Sequence, residues 1–488
     1  MRPLYARRTA IVSGALSLLF VCAAHVGSPD AFFDGKAGAY PVRIIIRSPA
    51  AIPARAEIVV RVTGGGVRRV TATARSWGAG EKNAPPPDDA VRIAGDSTLW
   101  TLQLWIMRQG SYAVLVHVDG SAGSGTVTVP YTANAQGVLK MNVAMAVALS
   151  AAGLFLVAGM LTIVGAASGE ATVSPGDAVP GDVERRARRI RARAAVIIVA
   201  ILVGGRIWWV TEDRAYAAAV YRPSAATVTV RDDTSAHVAS GGRAARPGRV
   251  EPHTRILRFA IDPAVAAQRA WIPLIPDHGK MLHLFLVKKD GLGALAHLHP
   301  FAIDSLTFET PLPFLPAGAY FVFADVVHEN GFAETLVQSV TLAEAPPMAW
   351  KPGDPDDAIF VGNGVRTPSR FDDGSTLSWD GAGATHAPGA DAHLHFTLRD
   401  ARGAPLTVEP YMGMQAHAVV VRDDGSVFVH LHPMGTTPSM GTMPMTAGEM
   451  PGEFEFPWAF PKAGHYRVWV QFRRPGGVRS AAFDVEVR

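Results

Sequence analysis

The chain has one cysteine, Cys22, in 488 residues. It lies inside the first apolar run, so a chain cleaved after that run has no cysteine at all. This excludes a disulfide framework, a thiolate metal site and a cysteine nucleophile. Charged residues are sparse at 18%, whereas Gly and Pro number 48 and 36. That balance suits short strands joined by turns better than long soluble helices. The net charge of +4 is small for this length, and no dense basic stretch is interleaved with aromatics. Both facts speak against a nucleic-acid partner. Also missing are G-x-S-x-G, a P-loop, H-E-x-x-H and any carboxylate pair singled out by spacing. No catalytic constellation is left.

Three apolar segments are present, and they set an expected topology. The first, Thr9 to Ala24, follows Arg2, Arg7 and Arg8. A positive start and a short apolar core read as a secretory signal over residues 1–24. The second, Met141 to Ala167, carries no charge and exceeds the roughly 20 residues that span a bilayer. The third, Ala194 to Val210, contains Arg206, Trp208 and Trp209 near its end, residues that settle at a membrane interface. Between the two spans lies "ERRARRIRAR". Its arginines mark residues 168–193 as a cytoplasmic loop, which places both flanking regions outside the cytoplasm. The expected setting is the inner membrane, with the bilayer as one partner and most of the chain in the periplasm.

The rest reads as three antiparallel, immunoglobulin-like β-sandwiches, at 25–137, 222–345 and 373–488, with a proline-rich linker at 346–372. Gly110-Ser111-Tyr112, Gly318-Ala319-Tyr320 and Gly464-His465-Tyr466 each open an alternating strand, followed by a turn and a last strand. A tyrosine at the start of a late strand is the mark of a tyrosine corner. The last two copies match most closely, as "PDHGKMLHLFLVKKDGLGALAHLHP" against "PYMGMQAHAVVVRDDGSVFVHLHP". His283, His297 and His299 then correspond to His417, His430 and His432, and His278 falls on Met412.

Asp424-Gly425 predicts a two-residue hairpin with a type I′ turn. Pairing Asp423 with Ser426 puts His417 directly across from His432, with side chains about 4.5–5.5 Å apart. His430 lies on the same face, because residues two apart in a strand share one. The first copy has one more residue in its turn, which predicts a bulge. Three neutral imidazoles suit Cu, Zn or Ni. Met412 and Met414 precede the second hairpin, and Met434, Met440, Met443, Met445 and Met450 follow it. With thiolates absent, these thioethers are the soft ligands, and thioethers select Cu(I). His393 and His395 in "AHLHF", together with His465, are further ligand candidates, whereas His328 reads as a solvated turn residue. Cleavage after Ala24 leaves His25 as a terminus able to chelate Cu(II). The expected role is binding and delivery of copper. The rival is a structural or interaction module of the envelope with packing histidines. A copper-dependent oxidoreductase is a third reading, which needs an open coordination position.

The motifs "AHVG" after the signal, "GGRIWW" to Asp213, "DHGKMLHLFLV" with its "HLHP", and "YMGMQAHAVVV" with "HLHP" and "AGHYRVWVQF" resemble a family of bacterial membrane-anchored envelope proteins. The C-terminal domains of that family are similar to YtkA-like or FixH-like, heavy-metal-associated β-sandwiches. The resemblance implies an envelope location and partners among copper or respiratory-assembly proteins.

Overall fold

A glycine with φ near +135° opens the penultimate strand of each sandwich: Gly110 at 136°, Gly318 at 133° and Gly464 at 134°. Side chains other than glycine's rarely tolerate that backbone. Two residues on, the tyrosine turns its hydroxyl back four residues. Tyr112 donates to the Arg108 carbonyl at 2.8 Å, Tyr320 to Pro316 at 2.6 Å and Tyr466 to Lys462 at 2.7 Å. All three sandwiches thus carry the expected corner. The computed structural model describes residues 25–26, 30–77, 84–139, 141–168, 173–174, 176–220, 224–233, 254–263, 273–329, 331–345, 350–364, 368–433, 435 and 448–488.

The described residues within 25–134 and 224–488 belong to one compact unit, which holds the antiparallel sheets. In the second sandwich, His283–Lys288 pairs on one side with Ala294–Leu298 and on the other with Gly318–His328. In the third, His417–Arg422 lies in the same way between Val427–Leu431 and Gly464–Arg474. The two-residue strand His25–Val26 runs parallel to Val427–Phe428 on the open edge of this sheet. Alternation explains the packing. Leu284, Leu286, Ala294, Ala296 and Leu298 face the second core, and Ala418, Val420, Val427, Val429 and Leu431 face the third. The intervening residues face the neighbouring sandwich. Phe285, Val287, Leu295 and Phe323 form one apolar cluster with Val419, Val421, Phe428 and Trp469. Phe323 and Phe428 stack at 4.1 Å across this contact. The first sandwich joins the third through Phe32 and Ile45, which enter its core, with Phe32 5.5 Å from Trp458.

Three expectations are corrected. The segment 346–372 is not a linker throughout, because Ala358–Val361 adds to the second sandwich as a strand on Ala294–Leu298. The turn at Asp424-Gly425 is not type I′. Only Gly425 takes a positive φ, 70°, and its N–H donates to the Arg422 carbonyl at 2.8 Å. The ring of Phe321 lies where a Gly425 side chain would begin, so the turn packs on the second sandwich. The extra residue of the first copy makes no bulge: Leu284↔Leu298 to Val287↔Leu295 pair without a shift. Gly291 and Leu292, both with positive φ, absorb it in the loop.

Residues 135–221 form the second unit. It contains two helices long and apolar enough to cross a membrane, Val143–Ala167 and Gly181–Ala219. Asn142 caps the first by accepting the Ala144 N–H at 2.8 Å. The second starts well before the expected Ala194. The arginine-rich segment is therefore helical and continuous with the apolar one, because arginine and alanine are good helix formers and nothing there breaks the ladder. Its 39 residues reach about 58 Å at 1.5 Å per residue, more than a bilayer core of about 30 Å needs.

Candidate metal centre

The expected hairpin register is the one observed. Ala418↔Leu431 and Val419↔His430 pair, so His417 and His432 close the ladder face to face. His417 lies 5.1 Å from His432 and 5.2 Å from His430 by ring centroids. The sequence did not show that the two histidine hairpins face each other. His283, His297, His299, His417, His430 and His432 are all buried where the second and third sandwiches meet. His430 lies 5.1 Å from His283 and 5.2 Å from His297.

His278 completes the group from a separate turn. Asp277 and Lys280 exchange both backbone hydrogen bonds at 2.9 Å, and His278 and Gly279 between them have φ of 50° and 81°. This two-residue turn, not the one at Asp424, has left-handed backbone at both central positions. Gly, Asn or Asp normally fill the first of them. Here a histidine does, and its ring reaches the other sandwich, 4.5 Å from His432 and 5.7 Å from His417. Met412 repeats the geometry, with φ 50° beside Gly413 at 81°, and is buried.

Two sets of nitrogens can each meet on one ion. His278, His417 and His432 form the first and His283, His297 and His299 the second, with the ligand atoms of each set within 4.8 Å of one another. Partners on the far side orient the rings. His297 Nδ1 pairs with Gln471 Oε1 of the third sandwich at 2.8 Å, and His430 Nδ1 lies 3.7 Å from Asp325 of the second. Asp325 and Gln471 hold the same position, seven residues after the glycine of each corner. They are polar residues inside the apolar strands "YFVFADV" and "YRVWVQF", a signal the sequence carries. Asp357 takes the His299 backbone N–H at 2.8 Å and its Nδ1 at 3.1 Å.

Burial holds these rings neutral. It drives His283, His297, His417, His430 and His432 well below the usual histidine value, reinforced by the neighbouring imidazoles, and brings His299 to about 3. The Gly435 backbone offsets part of this at His432 without reaching hydrogen-bond geometry. Burial also raises Asp325 to about 7 and Asp357 to about 6. Both ring nitrogens of His417 and of His432, and Nε2 of His278, His299 and His430, have no hydrogen-bond partner. An unmet buried polar atom costs about 1–3 kcal/mol. Seven such atoms approach on the order of 10 kcal/mol, the size of a whole domain's stability. An ion or ordered water must meet them. Neutral nitrogens converging in threes are what a first-row transition metal requires.

Other expected ligands lie elsewhere. His393 and His395 sit on the opposite sheet of the third sandwich, on Asp391–Arg399. Asp391 and Glu455 raise His393 to about 9, and Arg43 joins this network through Asp34 and Glu455. His395 is flanked by Asp380 at 2.6 Å and Glu453 at 2.9 Å. Exposed His465 pairs with Glu486 at 2.5 Å. His328 is not solvated: it is buried with Nε2 3.2 Å from Glu334. The backbone of His25 lies beside Val427, five residues from His432 and so about 16 Å along the strand. Met434, Met440, Met443 and Met445 lie outside the described residues, as does the segment 1–24. Met450 lies in the short strand Met450–Pro451. Met414 and Tyr411 are buried beside Met412, and Tyr411, missed from sequence, stands 5.1 Å from His417.

Among known families, a domain of unknown function, DUF8832, matches residues 369–488, the third sandwich. No curated protein matches the chain. Similar solved structures include an engineered protein, 27% identical over 18% of this chain and 19% of that one, TM-score 0.15. Dimeric latent PorU from Porphyromonas gingivalis is 10% identical over 94% of this chain and 34% of that one, TM-score 0.14. A putative membrane anchored protein from Corynebacterium diphtheriae is 9% identical over 94% and 96%, TM-score 0.15. The chain thus spans about a fifth and a third of the first two.

Proposed function

We propose that this is a membrane-anchored, extracytoplasmic protein that binds copper between its second and third sandwiches and hands it on. One observation carries the reading: seven histidines converge between the two sandwiches, six of them buried and held neutral, with seven ring nitrogens lacking a hydrogen-bond partner. Copper is favoured over zinc because the thioethers of Met412 and Met414 are buried in the turn that borders the rings and Cu(I) prefers such sulfur. The arginine-rich half of Gly181–Ala219 faces the cytoplasm in this reading, since arginines stay on that side. The sandwiches then lie in the periplasm, a setting in keeping with the resemblance to YtkA-like envelope domains.

A second reading keeps the histidines as packing groups in an envelope interaction module. It is favoured by the stacking of His297 on Phe285 at 4.2 Å, continuous with the apolar cluster. Titration of the full chain in detergent with Cu(II), and with Cu(I) under reductant, separates the two. The copper reading expects tight binding that is lost when both trios, His283, His297 and His299 with His417, His430 and His432, are changed to alanine. A wild-type chain that takes up no copper makes the histidines structural.

A further inference from the structure

We infer that the histidine centre holds two copper ions, one on His278, His417 and His432 and one on His283, His297 and His299, and that the first ion ties the second sandwich to the third. The inference rests on the copper reading above. The two sets share no residue, and each brings its nitrogens within 4.8 Å. His430 stands between them, 4.7 Å from His432 and 5.1 Å from His283, with one ring nitrogen unpartnered.

The first set gathers five of the seven unpartnered nitrogens. Its three rings come from both domains: His278 from the second sandwich, His417 and His432 from the third. His278 sits at a left-handed turn position with its Nε2 buried and without a hydrogen bond, 3.4 Å from Asp277 Oδ1. A non-glycine residue in such a backbone is strained, and strain of this kind collects at functional sites. An ion bound by His278, His417 and His432 accounts for the buried nitrogens that lack hydrogen bonds.

The second set has a compatible spacing. His283 Nδ1 and His297 Nε2 are 3.2 Å apart, within hydrogen-bond distance of each other. Two imidazole nitrogens on one ion, with bonds of about 2.0–2.1 Å near the tetrahedral angle, are separated by about 3.3 Å. His299, whose Nε2 has no hydrogen-bond partner, would supply the third donor. The outer nitrogens of two of these rings are already engaged, His297 by Gln471 and His299 by Asp357. Such partners fix the orientation of metal-binding imidazoles. Neither partner lies on the ion side, so each ring keeps its other nitrogen for the metal.

The test counts ions on the full chain in detergent, loaded with copper and desalted, by elemental analysis and native mass spectrometry. Two ions per chain are expected. His278→Gln is expected to retain one, His299→Gln one, and the double variant none. Loading the unaltered chain with Cu(II) should also give a half-field transition in electron paramagnetic resonance, which requires two coupled ions and depends on no variant. A single ion with no half-field signal overturns the two-ion arrangement while leaving copper binding intact. No ion at all removes the copper reading together with it.

Discussion

Tyr466 reaches four residues back to the Lys462 carbonyl, and Tyr112 and Tyr320 do the same in their own sandwiches. Tyr466→Phe removes one such bond and should lower stability by about 1 kcal/mol. Equilibrium denaturation followed at Trp469, buried on the same strand, measures the loss, and an unchanged midpoint means the corner is ornamental. His393 behaves in the opposite sense to the central histidines. Asp391 and Glu455 raise it to about 9, above an unfolded value of about 6.5. Its contribution is therefore full below about pH 6.5 and is lost as pH rises through about 9. The stability gap between the wild type and His393→Gln should close across that window, and a gap independent of pH contradicts the ion network. At this scale most of the site was legible. Alternating histidines, repeated in two copies, announce a common face. Asp325 and Gln471 were not picked out, because a lone polar residue in an apolar strand points to a partner without saying which. His278 and Met412 were read as matching ligand positions, but the left-handed turn backbone they share was not.

The hairpin His417–Arg422 with Val427–Leu431 kept its register although its turn was of a different type. Hydrophobic alternation fixed that register: Ala418, Val420, Val427 and Val429 had to face the core. The helix Gly181–Ala219 shows the converse. Hydropathy located its apolar half, but the arginine-rich half looked like a loop because charge was read as position and helix propensity was not weighed. Reporter fusions at residue 180 test its orientation. Activity confined to the reducing side is expected, and a reporter active in the oxidising compartment reverses the topology. Phe428→Ala tests the contact between the second and third sandwiches, where its ring stacks on Phe323 and lies 5.2 Å from Phe285. Truncating a buried Phe costs about 3–5 kcal/mol. Limited proteolysis should show the two domains separating more readily, and a digestion pattern like the wild type's makes the apolar cluster dispensable.

For the whole molecule, the decisive fact is which faces meet. The strands "HLFLVK" and "HAVVVR" are buried on both sides, and their unbroken apolar runs hinted at a second covering layer. No pattern named the layer, because any apolar face can cover another. The meeting of the two hairpins converts two half-exposed trios into one closed centre. It also makes the metal-free protein acid-sensitive. The buried rings titrate far below their unfolded value of about 6.5. Stability is therefore full above that value and falls as pH drops toward the folded values, about 3 for His299. Each ring contributes up to about 1.4 kcal/mol per pH unit over that range. Thermal unfolding of the metal-free chain should drop steeply below about pH 6.5, and a flat profile down to pH 4 would show the rings to be solvated.

X-ray absorption at the copper edge of the loaded, desalted full chain tests the central claim most directly. The account predicts retained copper with nitrogen at about 2.0–2.1 Å and the outer-shell scattering of imidazole, both lost when His283, His297, His417 and His432 are replaced by alanine together. Retained copper without imidazole scattering, or no retained copper, contradicts it.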